Sequence, residues 1–248
     1  MHLSNHKILI TGGSSGIGLE LATQLLKKNN HVLICGRNLQ RLQAAKQQNP
    51  TLETFQCDLS IPEDCDRLVH WIQENHSDLN VLINNAAIVH KSAFLTDPNA
   101  LEKAQLEFQV NFMAPLRLIK KLASTLHQHI TPTIINITTG LVYAPRADYS
   151  YYNATKAALH SFTQVLRIQL KNRNFRVIEI LMPAVNTPWH KGNPPKIAIS
   201  TEKAVAMMLK ELAAGKTEIK IGKVKLFHFI SRLSPRFALK KINSLHEA

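Results

Sequence analysis

The chain has 248 residues, a formal net charge of +13 and 45% apolar residues; that length fits one large α/β domain or two small ones, and the apolar share is enough for a core. No apolar run approaches the roughly 18 residues of a membrane span, and the run near the N-terminus falls short of a signal-peptide core of about 7–15 residues, so a cytosolic protein is expected. Cys35, Cys57 and Cys65 form no CxxC pair, the twelve histidines show no metal-ligand spacing, and the basic residues form no nucleic-acid-binding motif; neither a metal nor a nucleic acid is expected.

In chain order, short apolar runs alternate with amphipathic segments. KILIT (7–11) reads as a buried strand and GIGLELATQLLKKN (16–29) as a helix. HVLIC (31–35), LQRLQAAKQQ (39–48) and LETFQC (52–57) continue as strand, helix and strand. PEDCDRLVHWIQEN (62–75) is a helix opened by Pro62, followed by strands NVLIN (80–84), TIINIT (133–138) and RVIEILM (176–182). Long helical patterns fill 100–128 and 150–172, and another at 202–214 is closed by Gly215. This rhythm predicts an α/β fold. A doubly wound parallel sheet of about seven strands, a Rossmann fold, would carry helices on both faces in a single domain spanning 1–248.

TGGSSGIG (11–18) joins the first strand to the first helix. A glycine turn there sets backbone N–H groups and a helix N-terminus against a pyrophosphate, so Gly12, Ser14, Ser15, Gly16, Ile17 and Gly18 are expected at a dinucleotide. The same letters fit G-x-S-x-G, so a serine hydrolase using Ser14 is an alternative; only one strand precedes the motif, which counts against it. The second strand ends at Cys35-Gly36-Arg37, and no acidic residue occurs between Glu20 and Glu53. Arg37, with Arg41 nearby, therefore favours NADP(H) over NAD(H).

All four tyrosines lie between Tyr143 and Tyr152, and only Tyr152 has a lysine, Lys156, four residues on. That offset puts the two on one face of a helix. An ammonium ~4.5 Å away at an effective dielectric of ~20 would favour the phenolate by roughly 3–4 kcal/mol, so a Tyr152 pKa lowered towards neutrality is expected. Tyr151 is expected to pack, and Tyr143 and Tyr149 to line the approach to the site.

With TGGSSGIG, NNAA (84–87), Asn111, a hydroxyl residue 13 positions before Tyr152 and Y-x-x-x-K in order, the chain resembles the short-chain dehydrogenase/reductase family. INITTGL, YNATKAALHSF and PAVNT look most like its DltE-like bacterial oxidoreductases. The resemblance implies hydride transfer between NADP(H) and a carbonyl or alcohol, with Tyr152 as acid/base and Lys156 lowering its pKa and binding the nicotinamide ribose. It gives Thr139 a hydrogen bond to the carbonyl, and Asn111 a part in holding the lysine and a relay water. Asp58 and Leu59 would meet the adenine, Asn85 and Ala86 would lie against the cofactor, and Pro183, Val185 and Thr187 would hold the carboxamide. A homodimer or homotetramer is implied. Ala87 and Ala184 stand where the family usually has glycine, and Thr139 where it usually has serine; an alanine at either position would be strained if φ were positive. A nucleotide-binding regulator on the same fold is a second alternative.

PWHKGNPPKIAI (188–199) reads as a lid loop, with Trp189 and His190 as candidate substrate contacts. The tail, 219–248, has no acidic residue from 219 to 243 and intersperses Lys and Arg among Leu, Phe and Ile. It is expected to be either a last strand plus an ordered segment at an oligomer interface, or a peripheral contact with anionic membrane.

Overall fold

The structure is a computed structural model describing residues 3–190 and 192–244. Lys191, in the expected lid, and 245–248, at the end of the tail, lie outside the described residues. Seven parallel strands pair in the order β3-β2-β1-β4-β5-β6-β7. They are β1 (Lys7–Thr11), β2 (His31–Gly36), β3 (Glu53–Gln56), β4 (Val81–Asn84), β5 (Thr133–Thr139), β6 (Arg176–Met182) and β7 (Glu218–Lys220). The order reverses between β1 and β4, which opens a crevice at the carboxyl ends of those strands.

The pleat divides the core between two faces. In β1, Ile8 and Ile10 join Leu21 and Leu25 of α1 (Gly16–Leu26) and Met208 of α7 (Thr201–Ala213), whereas Leu9 joins the opposite cluster. There it meets Leu68 and Ile72 of α3 (Pro62–Asn75) and Leu118 and Leu122 of α5 (Ala114–His127). Local chemistry sets the helix ends. The Asn38 side chain caps α2 (Leu39–Gln48) by accepting from Arg41 N–H at 2.8 Å. Pro62, Glu63 and Asp64 suit the first turn of α3, and Gly215, at φ +78°, follows α7.

One expectation changes. The helical pattern over 100–128 is broken into α4 (Ala100–Phe108), a π-helical turn (Gln109–Met113) and α5. Pro115 has no N–H to donate to the carbonyl four residues earlier, at Asn111, so the ladder opens there. The tail holds the expected last strand, β7, and beyond it is helical. After the short β7, Gly222 turns the chain at φ +55° into α8 (Val224–Leu233), and Pro235 starts α9 (Pro235–Ser244). The alternation in IKIGKVKL mimics a strand for only as long as β7 can pair with β6. The other long segment, 150–172, forms α6 (Ser150–Gln169).

Candidate active site

The glycine loop is built from steric necessity. Gly12 and Gly13 N–H both donate to Cys35 O, at 2.9 and 3.2 Å, turning the chain sharply out of β1. Gly12 and Gly16 have φ +65° and +55°. A Cβ on Gly18 would lie 2.4 Å from Gly12 O and 2.6 Å from Asn85 Nδ2, so only glycine fits. Asn85 braces the loop: its Nδ2 donates to Thr11 O at 2.9 Å, and Thr11 Oγ1 accepts from the N–H groups of Asn85 and Ala86 at 3.0 Å. The cradle of close backbone and positive φ fits a pyrophosphate.

A cavity of about 710 Å³ begins at this loop. Gly12, Ser14, Ser15, Gly16, Ile17 and Gly18 line one end, with Arg37, Arg41, Asp58 and Leu59 beside them. Asn85 and Ala86 lie midway, and Thr139, Tyr152, Lys156, Pro183, Val185 and Thr187 line the other part. Asp58 Oδ1 accepts from Ser60 N–H and Oγ–H at 2.9 and 2.7 Å, fixing the loop after β3. No hydrogen bond joins Ser14 to an imidazole among the described residues, and Ser14 lies in the glycine loop at this end of the cavity.

Tyr152 and Lys156 share the inner face of α6. Lys156 is 2% exposed, and its Nζ donates to Ile137 O at 2.8 Å while standing 6.0 Å from the Tyr152 ring centroid. Burial pulls the lysine down to about 8, against the opposing pull of Glu179 and Glu107. Burial also pushes Tyr152 up to about 12; the Thr139 hydroxyl draws it down and Glu107 raises it further. The expected depression of the phenol is thus reversed in the free chain. Lys156 has left water, with its ammonium turned to a backbone carbonyl, while Tyr152 stays partly exposed at the cavity wall.

Asn111 does not line the cavity. Its Oδ1 accepts from Ile88 N–H, and its Nδ2 donates to Ile88 O, both at 2.8 Å, with Thr155 Oγ1 at 3.2 Å. It ties the π-helical turn to the segment after β4 and to α6, with no direct bond to Lys156. The family departures are free of strain: the positive-φ residues other than glycine are Asn5, Asn29 and Asn174 among the described residues, so neither Ala87 nor Ala184 needs glycine's freedom. Thr139, at φ −141° and ψ 154°, is extended backbone that suits a β-branched side chain.

The tyrosines divide. Tyr149 lines the cavity, and Trp189 meets its ring edge-on at 5.7 Å. Tyr151 packs: it is buried, with its hydroxyl 2.9 Å from Ser92 Oγ. Tyr143 does not line the approach as expected. It lies against His228 of α8 at 4.5 Å, behind the cavity wall. Trp189 and His190 do reach the cavity, and a parallel bridge between Val185 and Ile199 pins the two legs of the loop that carries them.

Several groups at the site were not found from sequence. Glu107 is fully buried and accepts from His90 N–H and Nδ1 at 2.6 and 3.0 Å; burial pushes its carboxyl up. Glu179 is fully buried with His160 Nδ1 at 2.8 Å and the Thr138 hydroxyl donating to it. A single acid inside RVIEILM was a readable signal for Glu179, whereas Glu107 looks like any polar helix residue. Val224, Phe227 and Ile230 of α8 and Ile242 of α9 wall the cavity where no motif marked them. Far from it, at the amino ends of β2 and β3, Glu53 bridges His31 and His76, the latter at 3.1 Å. These three come from separate elements, which is why no ligand spacing showed them as neighbours.

A glycine loop at the switch point, a Tyr–Lys pair one turn apart and a neighbouring threonine hydroxyl line one cavity on a Rossmann sheet. The family model for short chain dehydrogenases matches residues 6–197, and the chain belongs to that family. It is 41% identical over 224 residues to the uncharacterized oxidoreductase DltE of Bacillus subtilis (strain 168), covering 88% of this chain and 89% of the relative. It is 32% identical over 184 residues to a fatty acyl-CoA reductase of Acinetobacter baylyi (strain ATCC 33305 / BD413 / ADP1), covering 73% of this chain and 62% of that protein. Among solved structures, a short chain dehydrogenase from Burkholderia cenocepacia J2315 in complex with NADP shares the fold, with a TM-score of 0.85, 23% identity and coverage of 98% and 99% of the two chains.

Proposed function

We propose that the protein interconverts a carbonyl and an alcohol using NADP(H), with Tyr152 as the acid/base. The observation that carries this proposal is the convergence of Tyr152, Thr139 and Lys156 on one end of a cavity whose other end is the glycine cradle and Arg37. The cradle from Gly12 to Gly18 would hold the pyrophosphate, Arg37 the 2′-phosphate, Asp58 and Leu59 the adenine end, and Pro183, Val185 and Thr187 the carboxamide end. When bound, the dinucleotide supplies or accepts the hydride. Thr139 orients the substrate oxygen by hydrogen bonding, and Tyr152 gives that oxygen its proton in reduction or takes it in oxidation. A phenol pushed up to about 12 rests protonated, ready to donate. Lys156 supplies positive charge to the phenolate that donation leaves behind.

The substrate end is walled by Leu141, Trp189, Phe227 and Ile230, which favours a carbonyl on an apolar body. The similarity to a fatty acyl-CoA reductase supports the same class. Buried free cysteines suit a reducing, cytoplasmic setting, and exposed Leu101 and Phe108 on α4 with Ile168 on α6 suit a homodimer. The regulator alternative leaves the retained Tyr152, Lys156 and Thr139 without a use.

Turnover of aliphatic aldehydes, ketones and acyl thioesters with NADPH tests the proposal. Tyr152→Phe should lower kcat by about 10²–10⁴ with NADPH affinity retained. Tyr152→Phe turnover equal to wild type, or an esterase activity lost in Ser14→Ala, would overturn it.

A further inference from the structure

We infer that α8 and α9 form a docking surface for an anionic lipid bilayer, set around the mouth of the cavity. Helix α8 is apolar on two faces. Its inner side, through Val224, Phe227 and Ile230, walls the cavity. Its outer side carries Leu226, Phe229 and Leu233, spaced i, i+3 and i+7 and therefore on one stripe, and Phe237 lies in the first turn of α9. These four side chains are between 55% and 71% exposed, although α8 packs against α9 and both belong to the folded unit.

Charge identifies the occupant. Lys223 flanks the outer stripe on one side of α8 and Arg232 on the other, where Lys225 is paired with Glu211 of α7 at 2.9 Å; Arg236 and Lys240 follow on α9. The stretch from 219 to 243 contains no acidic residue, and the whole chain carries +13. Docking a second copy on this surface would bring like charges together, whereas anionic headgroups neutralise them while the apolar stripe enters the interface. Leu226 belongs to both surfaces: it lines the cavity and is 60% exposed. A bilayer on this face would therefore lie at the rim of the substrate end. No helix among the described residues is long and apolar enough to cross a membrane, so the contact is peripheral.

The test is flotation of the full chain with vesicles of phosphatidylcholine alone or mixed equally with phosphatidylglycerol. Binding is expected to the mixed vesicles only and to weaken as salt is added. Phe229→Glu/Leu233→Glu should reduce it about tenfold or more, with the melting temperature unchanged because neither side chain packs in the core. Arg232→Glu/Arg236→Glu should do likewise. No binding, equal binding to both vesicle types, or mixed-vesicle binding untouched by both variants would overturn the proposal. So would a dimer in light scattering that Phe229→Glu/Leu233→Glu disperses while vesicles are ignored, since a second copy would then be the occupant. None of these readouts depends on which substrate, if any, is turned over.

Discussion

Lys156 Nζ stands 6.0 Å from the centroid of the Tyr152 ring and donates its bond to Ile137 O instead. Both side chains line the same cavity, Lys156 buried and Tyr152 partly exposed, and desolvation displaces each towards its neutral form, the lysine to about 8 and the phenol to about 12. A lysine depressed in the folded state costs stability wherever the unfolded chain would hold the proton. The cost is complete below pH 8 and is relieved as pH rises from 8 towards the usual 10.5. Lys156→Met should therefore stabilise the chain at pH 7, by about 1–3 kcal/mol, while abolishing turnover. Urea unfolding at neutral pH together with an activity assay reads both effects. A variant less stable than wild type would show the ammonium to be well compensated.

Arg37 and Arg41 border the cavity where the second strand ends, with no carboxylate beside them in the sequence. Thermal stabilisation by NADPH should exceed that by NADH. Arg37→Glu should weaken NADPH by about 10–100-fold, the loss of a charge-assisted bond plus a repulsion, and leave NADH nearly unchanged or improved. Equal stabilisation of wild type by the two dinucleotides would remove the assigned role of Arg37.

Gly18→Ala places a Cβ 2.4 Å from Gly12 O, and a backbone atom has no flexible end with which to yield. The expected result is a folded chain with a lower melting temperature that neither dinucleotide stabilises. Ala87→Gly makes the complementary test. Because Ala87 lies outside positive φ, glycine should cost roughly 0.4–1 kcal/mol rather than relieve strain.

His76 is buried, and desolvation lowers its pKa from the usual 6.5 despite the neighbouring Glu53. The unfolded chain then binds a proton that the folded chain refuses. This contribution to stability is complete above pH 6.5 and is lost as pH falls below it. His76→Phe should flatten the fall in melting temperature between about pH 6.5 and 5; an unchanged slope would assign the acid sensitivity elsewhere.

Features with local causes could be read before the structure. The alternation of runs gave the sheet, the glycine spacing gave the cradle, and the i, i+4 offset put Tyr152 and Lys156 on one face. What escaped depends on the third dimension. Desolvation at the cavity wall outweighs helix spacing in the titration of Tyr152, and the lysine that a pairwise Coulomb argument set beside the phenol bonds to Ile137 O instead. Pro115 was a local sign that the helix over 100–128 would be interrupted, but the anchoring of Asn111 was not legible, because its two bonds to Ile88 cross 23 positions. Tyr143 faces α8, and nothing local in its sequence neighbourhood announces a helix 80 residues on. The helices of the tail were hidden by a few alternating residues that β7 uses and α8 abandons.

Asn243 of α9 accepts from Ala147 N–H at 2.7 Å and donates to Pro145 O at 3.1 Å, fastening the tail to the segment that leads into Tyr152. The glycine loop and the α8 and α9 part of the cavity wall are therefore far apart along the chain, with Leu141, Tyr152 and Trp189 of the same cavity between them. Under the proposed function, such a layout would make substrate range exchangeable: replacing the stretch beyond β7 with that of a relative would reshape the α8 and α9 wall of the cavity while leaving the glycine loop untouched.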